Sequence, residues 1–277
     1  MQFLTKDKQF YMQLLTIAVP IALQNLLNFS VSMADTVMLG MLGEVYLSSA
    51  SLANQIGFIY GLFTFGVGGG SNVMIAQFWG KGDVQSIHKV ITLMYRILFV
   101  GGIFFTVIAL FFSRQAMMVF TTDSRVIEEG SRFLRIVGFS YILMGISSTT
   151  VIMLRSVGAV KIAILVYISS LLTNVFFNWM LIFGNLGAPA LKIQGAAIAT
   201  CMSRVVEIII VFVYMFRVEK KIGYKIKYLF ITKISMLREF VKNAGPVVVN
   251  ELLWGLGSAT IAVIIGRMGM EFTAANS

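Results

Sequence analysis

A polytopic bundle of transmembrane α-helices is the fold class this sequence predicts, and three observations predict it. Hydrophobic residues make up 58% of the chain, charged residues only 12%, and mean hydropathy is +0.86. A soluble domain carries about twice that share of charge. The apolar residues fall in continuous runs, long enough for the ~20 residues a membrane helix needs, and they do not alternate as a β-barrel requires. Two of the runs are also related to each other, which points to an internal repeat. Three prolines in 277 residues leave the runs largely uninterrupted.

Seven spans follow in order. The first, 14–38, contains Pro20 and the polar positions Gln24, Asn25, Asn28 and Asp35. It is too long for a signal-peptide core and lacks a small-residue cleavage site, so it is read as retained. The second, 50–78, carries Gly66, Gly68, Gly69 and Gly70. No Lys-Ser/Thr follows these glycines, so they read as a close helix contact rather than a phosphate loop. The loop GKGDVQSIHK leads to the third span, 91–112, and the fourth is 133–153. The fifth, 163–183, holds Asn174 and Asn178, and the loop GNLGAPALKIQG leads to the sixth, 196–216, with Thr200, Cys201, Arg204 and Glu207. The seventh, 244–266, contains Pro246, Asn250, Glu251 and Trp254. The domains expected are a six-helix bundle over 1–217, a basic linker over 218–243, and the first helix of a second bundle over 244–277.

The net charge of +10 is distributed rather than patched. One face of the membrane receives Lys6, Lys8, Lys81, Lys89, Arg155, Lys161 and the lysines and arginines of the 217–243 loop. The other receives Arg114, Arg125, Arg132, Arg135, Lys192 and Arg267. The excess places the N-terminus and that loop in the cytoplasm, by the positive-inside rule, and removes the need for a nucleic-acid partner. A single cysteine, Cys201, excludes a disulfide framework and a cysteine metal site. His88, alone in a loop, supports neither a metal nor catalysis, and no nucleophile–base set or nucleotide motif is present, so no enzyme and no cofactor is expected.

Setting Pro20 on Pro246 aligns 20–51 with 246–277 without gaps and gives eight identical pairs among 32, including Gly40/Gly266 and Gly43/Gly269. Six spans separate the copies, so both run the same way, as in the parallel repeats of secondary transporters. The second copy reaches only the start of its second helix. The expectation is a truncated chain, one complete lobe plus one helix of another, with about five helices to follow.

Polar groups inside spans are functional candidates. Asp35, Asn174, Asn178 and Thr200 fall at similar depth in the outer half of the first lobe. Together they form an all-oxygen set suited to a hard cation such as Na+, or to a proton relay; simple hydrogen bonding between helices is the alternative. Glu251 is the isolated acid of the seventh helix. Its repeat partner is Asn25, and that of Asp35 is Ile261, so each copy keeps one acid at a different level. Arg204 and Glu207, three apart, read as satisfying each other. Pro20 and Pro246 are candidate hinges beside the polar positions Gln24, Asn25, Asn28, Asn250 and Trp254, which are candidate cavity linings.

The stretch AVPIALQNLLNFSVSMADTVMLGMLG, followed by IAQFWGKGD, NVFFNWMLIFGNLG, QGAAIAT and GPVVVNELLWGLGSATIAVIIGRMG, resembles multidrug and toxic compound extrusion (MATE) transporters. The resemblance covers the whole chain. It implies two six-helix lobes, a monomer in the plasma membrane, and export of organic, often cationic and aromatic, compounds in exchange for Na+ or H+. It also implies a first-lobe cation site at Asp35, Asn174, Asn178 and Thr200, with Asn178 standing where some members have aspartate, and a coupling acid at Glu251. A lipid-linked saccharide flippase of the same superfamily fold, for which Arg96 and Arg204 supply few cationic groups, and a non-transporting fragment are the alternatives.

Overall fold

The computed structural model describes residues 8–231 and 236–276. Among these are eleven helices: α1 (Lys8–Gly40), α2 (Glu44–Gly80), α3 (Val84–Phe111), α4 (Ser113–Phe120), α5 (Ser124–Val137), α6 (Phe139–Ser156), α7 (Val160–Phe183), α8 (Ile193–Val213), α9 (Tyr228–Ile231), α10 (Leu237–Met268) and α11 (Met270–Asn276). Lys6, Lys233 and Ser277, which entered the charge and repeat arguments, lie outside the described residues.

By length and composition α2, α3, α7, α8 and α10 are apolar enough to cross a bilayer. The bent pair α5–α6 makes a sixth span. α1, 33 residues long, carries Gln24, Asn25, Asn28, Ser30 and Asp35 along an otherwise apolar helix. The expected fourth span, 133–153, is corrected: the chain turns by 46° at Gly138 between α5 and α6. There the Gly138 carbonyl accepts a 2.8 Å bond from Thr106, and the absent side chain lets α3 approach, since a Cβ would stand 2.6 Å from Ala109 Cβ. The seventh helix begins at Leu237, seven residues inside the expected linker.

Helix pairing follows the small residues. α10 runs along α2, and a Cβ on Gly70 or Gly66 would lie 2.3 Å or 2.7 Å from the backbone of Ala244 or Val248. A Cβ on Gly68 would strike Ile152 of α6 instead. The glycine run is therefore a two-sided packing surface, as small residues are in membranes. α1 packs on α7, and α7 on α8. Two apolar cores result. One surrounds Met94, Leu98, Leu154 and Val166 near the end of the bundle bearing the 81–89 loop, the basic end; the other surrounds Tyr60, Leu134, Ile182 and Ala197.

The segment 218–231 is folded against α3. Ile222 and Tyr224 are buried, and His88 Nε2 donates to the Ile222 carbonyl at 2.8 Å while its ring stacks on Tyr228. Thr92 meets the Tyr224 hydroxyl at 2.9 Å, and burial pushes that phenol's pKa up. His88 thus anchors a strap.

The two sequence copies share a backbone signature. Gly43 (φ 114°, ψ 166°) and Gly269 (φ 134°, ψ 165°), paired by the alignment, each end one helix and start the next. Positive φ of this kind is open to glycine alone at little cost. Pro20 and Pro246 both lie inside unbroken helices.

Candidate functional site

Three of the predicted residues meet between α1 and α7. Asp35 lies five residues before the end of α1, and Asn178 five residues before the end of α7. At 1.5 Å per residue, both sit about 7 Å from the ends of their helices, at the end of the bundle opposite the basic one. Asn174 is one turn deeper on the same face of α7, and both asparagines are fully buried. Asn178 Nδ2 donates to Asp35 Oδ1 and, at 3.0 Å, to Asn174 Oδ1. The cluster is incompletely satisfied. Among the described residues, Asn178 Oδ1 is buried with no donor, and Asn174 Nδ2 with no acceptor. Buried polar groups are nearly always paired. A free amide oxygen beside a carboxylate that has one protein donor is an arrangement able to accept a small cation or a proton.

Thr200 is not hydrogen-bonded to this trio. Its hydroxyl donates to Ala196 O at 3.0 Å within α8. With the proton so committed, its oxygen can act only as an acceptor, which is the role a cation ligand needs.

The second acid of the bundle behaves oppositely. Glu207 is 2% exposed and accepts four bonds: from Ser147 on α6 at 3.1 Å, from Ser170 on α7 at 2.6 Å, and two from Arg204 at 2.8 and 2.9 Å. Those bonds fill the four lone-pair sites of a carboxylate, so Glu207 has no room for a ligand. It pins three helices together. The Arg204–Glu207 spacing was readable in the sequence; the two serines were not, because they come from other helices. Ser170 does carry a signal, since Ser170, Asn174 and Asn178 form an i, i+4, i+8 stripe.

The remaining candidates stand apart. Gln24 is buried and donates to Val160 O at 3.1 Å, with its own Oε1 unpaired. Asn25 and Asn28 are exposed on α1, as are Asn250 and Trp254 on α10, where Trp254 meets Phe58 at 5.8 Å between ring centroids. Glu251 is half-buried on α10 and makes no hydrogen bond or ion pair among the described residues. The structure does not bring it to the Asp35 cluster.

Residues 20–180 match the family model described as MatE. Among curated proteins, the chain is 25% identical over 268 residues to the uncharacterized transporter YisQ of Bacillus subtilis, covering 96% of this chain and 58% of that protein. It is 26% identical over 267 residues to the probable multidrug resistance protein NorM of Thermotoga maritima, covering 94% and 55%. Among solved structures, the multidrug transporter DinF-BH superposes with a TM-score of 0.84 at 17% identity, covering 93% of this chain and 57% of that one. The chain therefore has the fold of these transporters and spans somewhat over half the length of the relatives it matches.

Proposed function

The chain belongs to the MatE family, and from that premise we propose that it forms the first lobe and seventh helix of an antiporter that exports organic compounds in exchange for Na+ or H+. The observation that carries this reading is the contrast between the two acids. Glu207 is saturated by protein donors, while among the described residues Asp35 accepts from Asn178, whose own buried amide oxygen has no partner. Only the second can exchange a ligand. Asp35, Asn178, Asn174 and the acceptor oxygen of Thr200 would receive the coupling ion, and Glu251 would serve as the acid of the other lobe. Neutralising Asp35 with a cation or proton alters the charge on the inner face of α1, and with it the affinity for a cationic, aromatic substrate. Asn25, Asn28, Asn250 and Trp254, exposed on α1 and α10, would line the path of that substrate. The basic end faces the cytoplasm of the cell whose plasma membrane holds the protein. Full-length transporters work as monomers on this reading.

The test is export of a fluorescent organic cation by the native transporter and by Asp35→Asn and Glu251→Gln variants, with and without an imposed Na+ or proton gradient. A loss of at least about tenfold in gradient-driven export, equivalent to ~1.4 kcal/mol, is expected for each. Export at the unaltered rate by both variants refutes the coupling role.

A further inference from the structure

A groove of about 690 Å³ opens between α2, α3 and α10, running from Leu237 at the basic end to Phe63 and Phe105 in the middle of the bundle. Its walls are hydrocarbon and aromatic ring: Leu93, Ile97 and Phe104 of α3, Phe63 of α2, and Leu237 and Leu252 of α10. From Leu93 to Phe105 it follows α3 for about 18 Å, close to the ~15 Å of hydrocarbon in one leaflet. Val100 and Phe104, 66% and 59% exposed, leave it open sideways to the bilayer. Among the described residues Arg96 is the charged residue of the lining. Its Nε donates to Leu229 O at 3.0 Å, which ties the strap 218–231 to the residue at this end of the groove.

The strap's outward face has a composition of its own. Ile222 and Tyr224 point inward, while Ile226 (53% exposed) and Phe230 (83% exposed) point away from the protein among the exposed Lys220, Lys221, Lys225 and Lys227. Large apolar side chains interleaved with lysines outside the spans mark a segment that lies in the headgroup region of a membrane.

We propose that groove and strap together bind one phospholipid of the adjoining leaflet that carries an anionic headgroup. One acyl chain fills the groove, and Lys225, Lys227 and the positive charge of Arg96 hold the headgroup. The positive rim disfavours an organic cation as occupant, and an apolar channel one leaflet deep has no use for a free phosphate. This site is independent of the Asp35 cluster and of the transport reading.

The chain, purified in mild detergent, would be equilibrated with equal amounts of phosphatidylglycerol and phosphatidylcholine, and the retained lipid counted by native mass spectrometry. One phosphatidylglycerol per chain, in preference to phosphatidylcholine, is expected. A Lys225→Gln/Lys227→Gln variant should lower that preference by about fivefold per charge removed, and Lys225→Arg/Lys227→Arg should keep it. Both lysines are exposed, so neither variant threatens folding. Val100→Trp, which fills the groove, should abolish retention at an unchanged thermal midpoint. Equal retention of the two lipids by the wild type, an undiminished preference in the glutamine variant, or undiminished retention by a folded Val100→Trp overturns the proposal.

Discussion

Replacing Glu207 by glutamine should lower the unfolding temperature of the bundle steeply, whereas replacing Asp35 by asparagine should barely move it. Glu207, itself 2% exposed, receives Ser147, Ser170 and two bonds from one Arg204 nitrogen. Hydrogen bonds between membrane helices contribute only ~0.6 kcal/mol each on average, with a maximum near 1.7. The two serines are therefore small terms. Leaving the partly buried Arg204, 23% exposed, without its counter-charge costs less than the about 3–5 kcal/mol of a fully buried pair, yet more than either serine, so the charge decides the outcome. The expected loss is about 2–3 kcal/mol, or roughly 8 °C for a domain of this size, against about 0.6 kcal/mol for Ser147→Ala or Ser170→Ala. Asp35→Asn keeps the acceptor that Asn178 uses and removes a carboxylate with one protein donor. Its cost should stay below about 1 kcal/mol. Thermal unfolding in detergent, followed by intrinsic tryptophan fluorescence, measures all four variants. An Asp35→Asn variant less stable than Glu207→Gln would refute the assignment of which acid is structural and which is free to exchange a ligand.

Two further outcomes follow from the packing and from the helix ends. Gly70→Ala should cost about 1–3 kcal/mol by overpacking, because its Cβ would stand 2.3 Å from Ala244 Cα. Gly69→Ala, whose Cβ would meet Val247 Cγ1 at an ordinary 3.5 Å, should be neutral or stabilising; equal thermal midpoints for the pair would contradict the close α2–α10 contact. At the start of α3, the Ser86 hydroxyl and backbone N–H, at 2.6 and 3.0 Å, hold the Asp83 carboxyl below the usual carboxylate range. A lowered folded pKa means that the cap's contribution is complete above the ordinary carboxyl value and is lost as pH falls through the lowered one. Amide exchange over 84–88 should accelerate only at that acidic end, and Ser86→Ala should move the onset to higher pH.

The stripe Ser170, Asn174, Asn178 was legible in the sequence because helical spacing alone puts its members on one face. Its partners were legible only as depths. That Asp35 meets Asn178 while Thr200 turns its proton to Ala196 depends on the rotation of α1 and α8 about their own axes, which hydropathy does not encode. The bend at Gly138 was hidden for a related reason. Apolar residues continue through it, and only the approach of Ala109 and the Thr106 bond distinguish it from an ordinary helical glycine. In 218–231 the lysines dominated the composition and read as linker. The inward set of Ile222, Tyr224 and Tyr228 is spaced too irregularly for a period, and its meaning lies in His88, 134 positions away from Ile222. The early start of α10 was masked by the same run of charge.

The paired glycines and the unpaired acids together indicate what the repeat retains. Gly43 and Gly269 hold nearly the same backbone angles, so the turn between the first and second helix of each copy is preserved. The faces are not. α1 packs on α7, which offers Asn178 to Asp35; α10 packs on α2, whose contact surface is glycine and aliphatic side chain. The counterpart of Asp35 on α10 is Ile261, 59% exposed among the described residues. A carboxylate inside a membrane is costly unless a neighbour supplies hydrogen bonds. Among the described residues, only the first copy has a neighbouring helix with the asparagine stripe that sustains an acid at the Asp35 level. An acid placed at the exposed position 261 gains no asparagine partner among the described residues and should lower the thermal midpoint, whereas Asn178→Leu should destabilise Asp35 in place. Comparing the thermal midpoints of Ile261→Asp, Asn178→Leu and Asn178→Leu/Asp35→Leu checks this. The double variant should recover most of what Asn178→Leu loses, since removing both members of a buried polar pair costs less than removing one. Additive losses would show that Asp35 does not depend on α7.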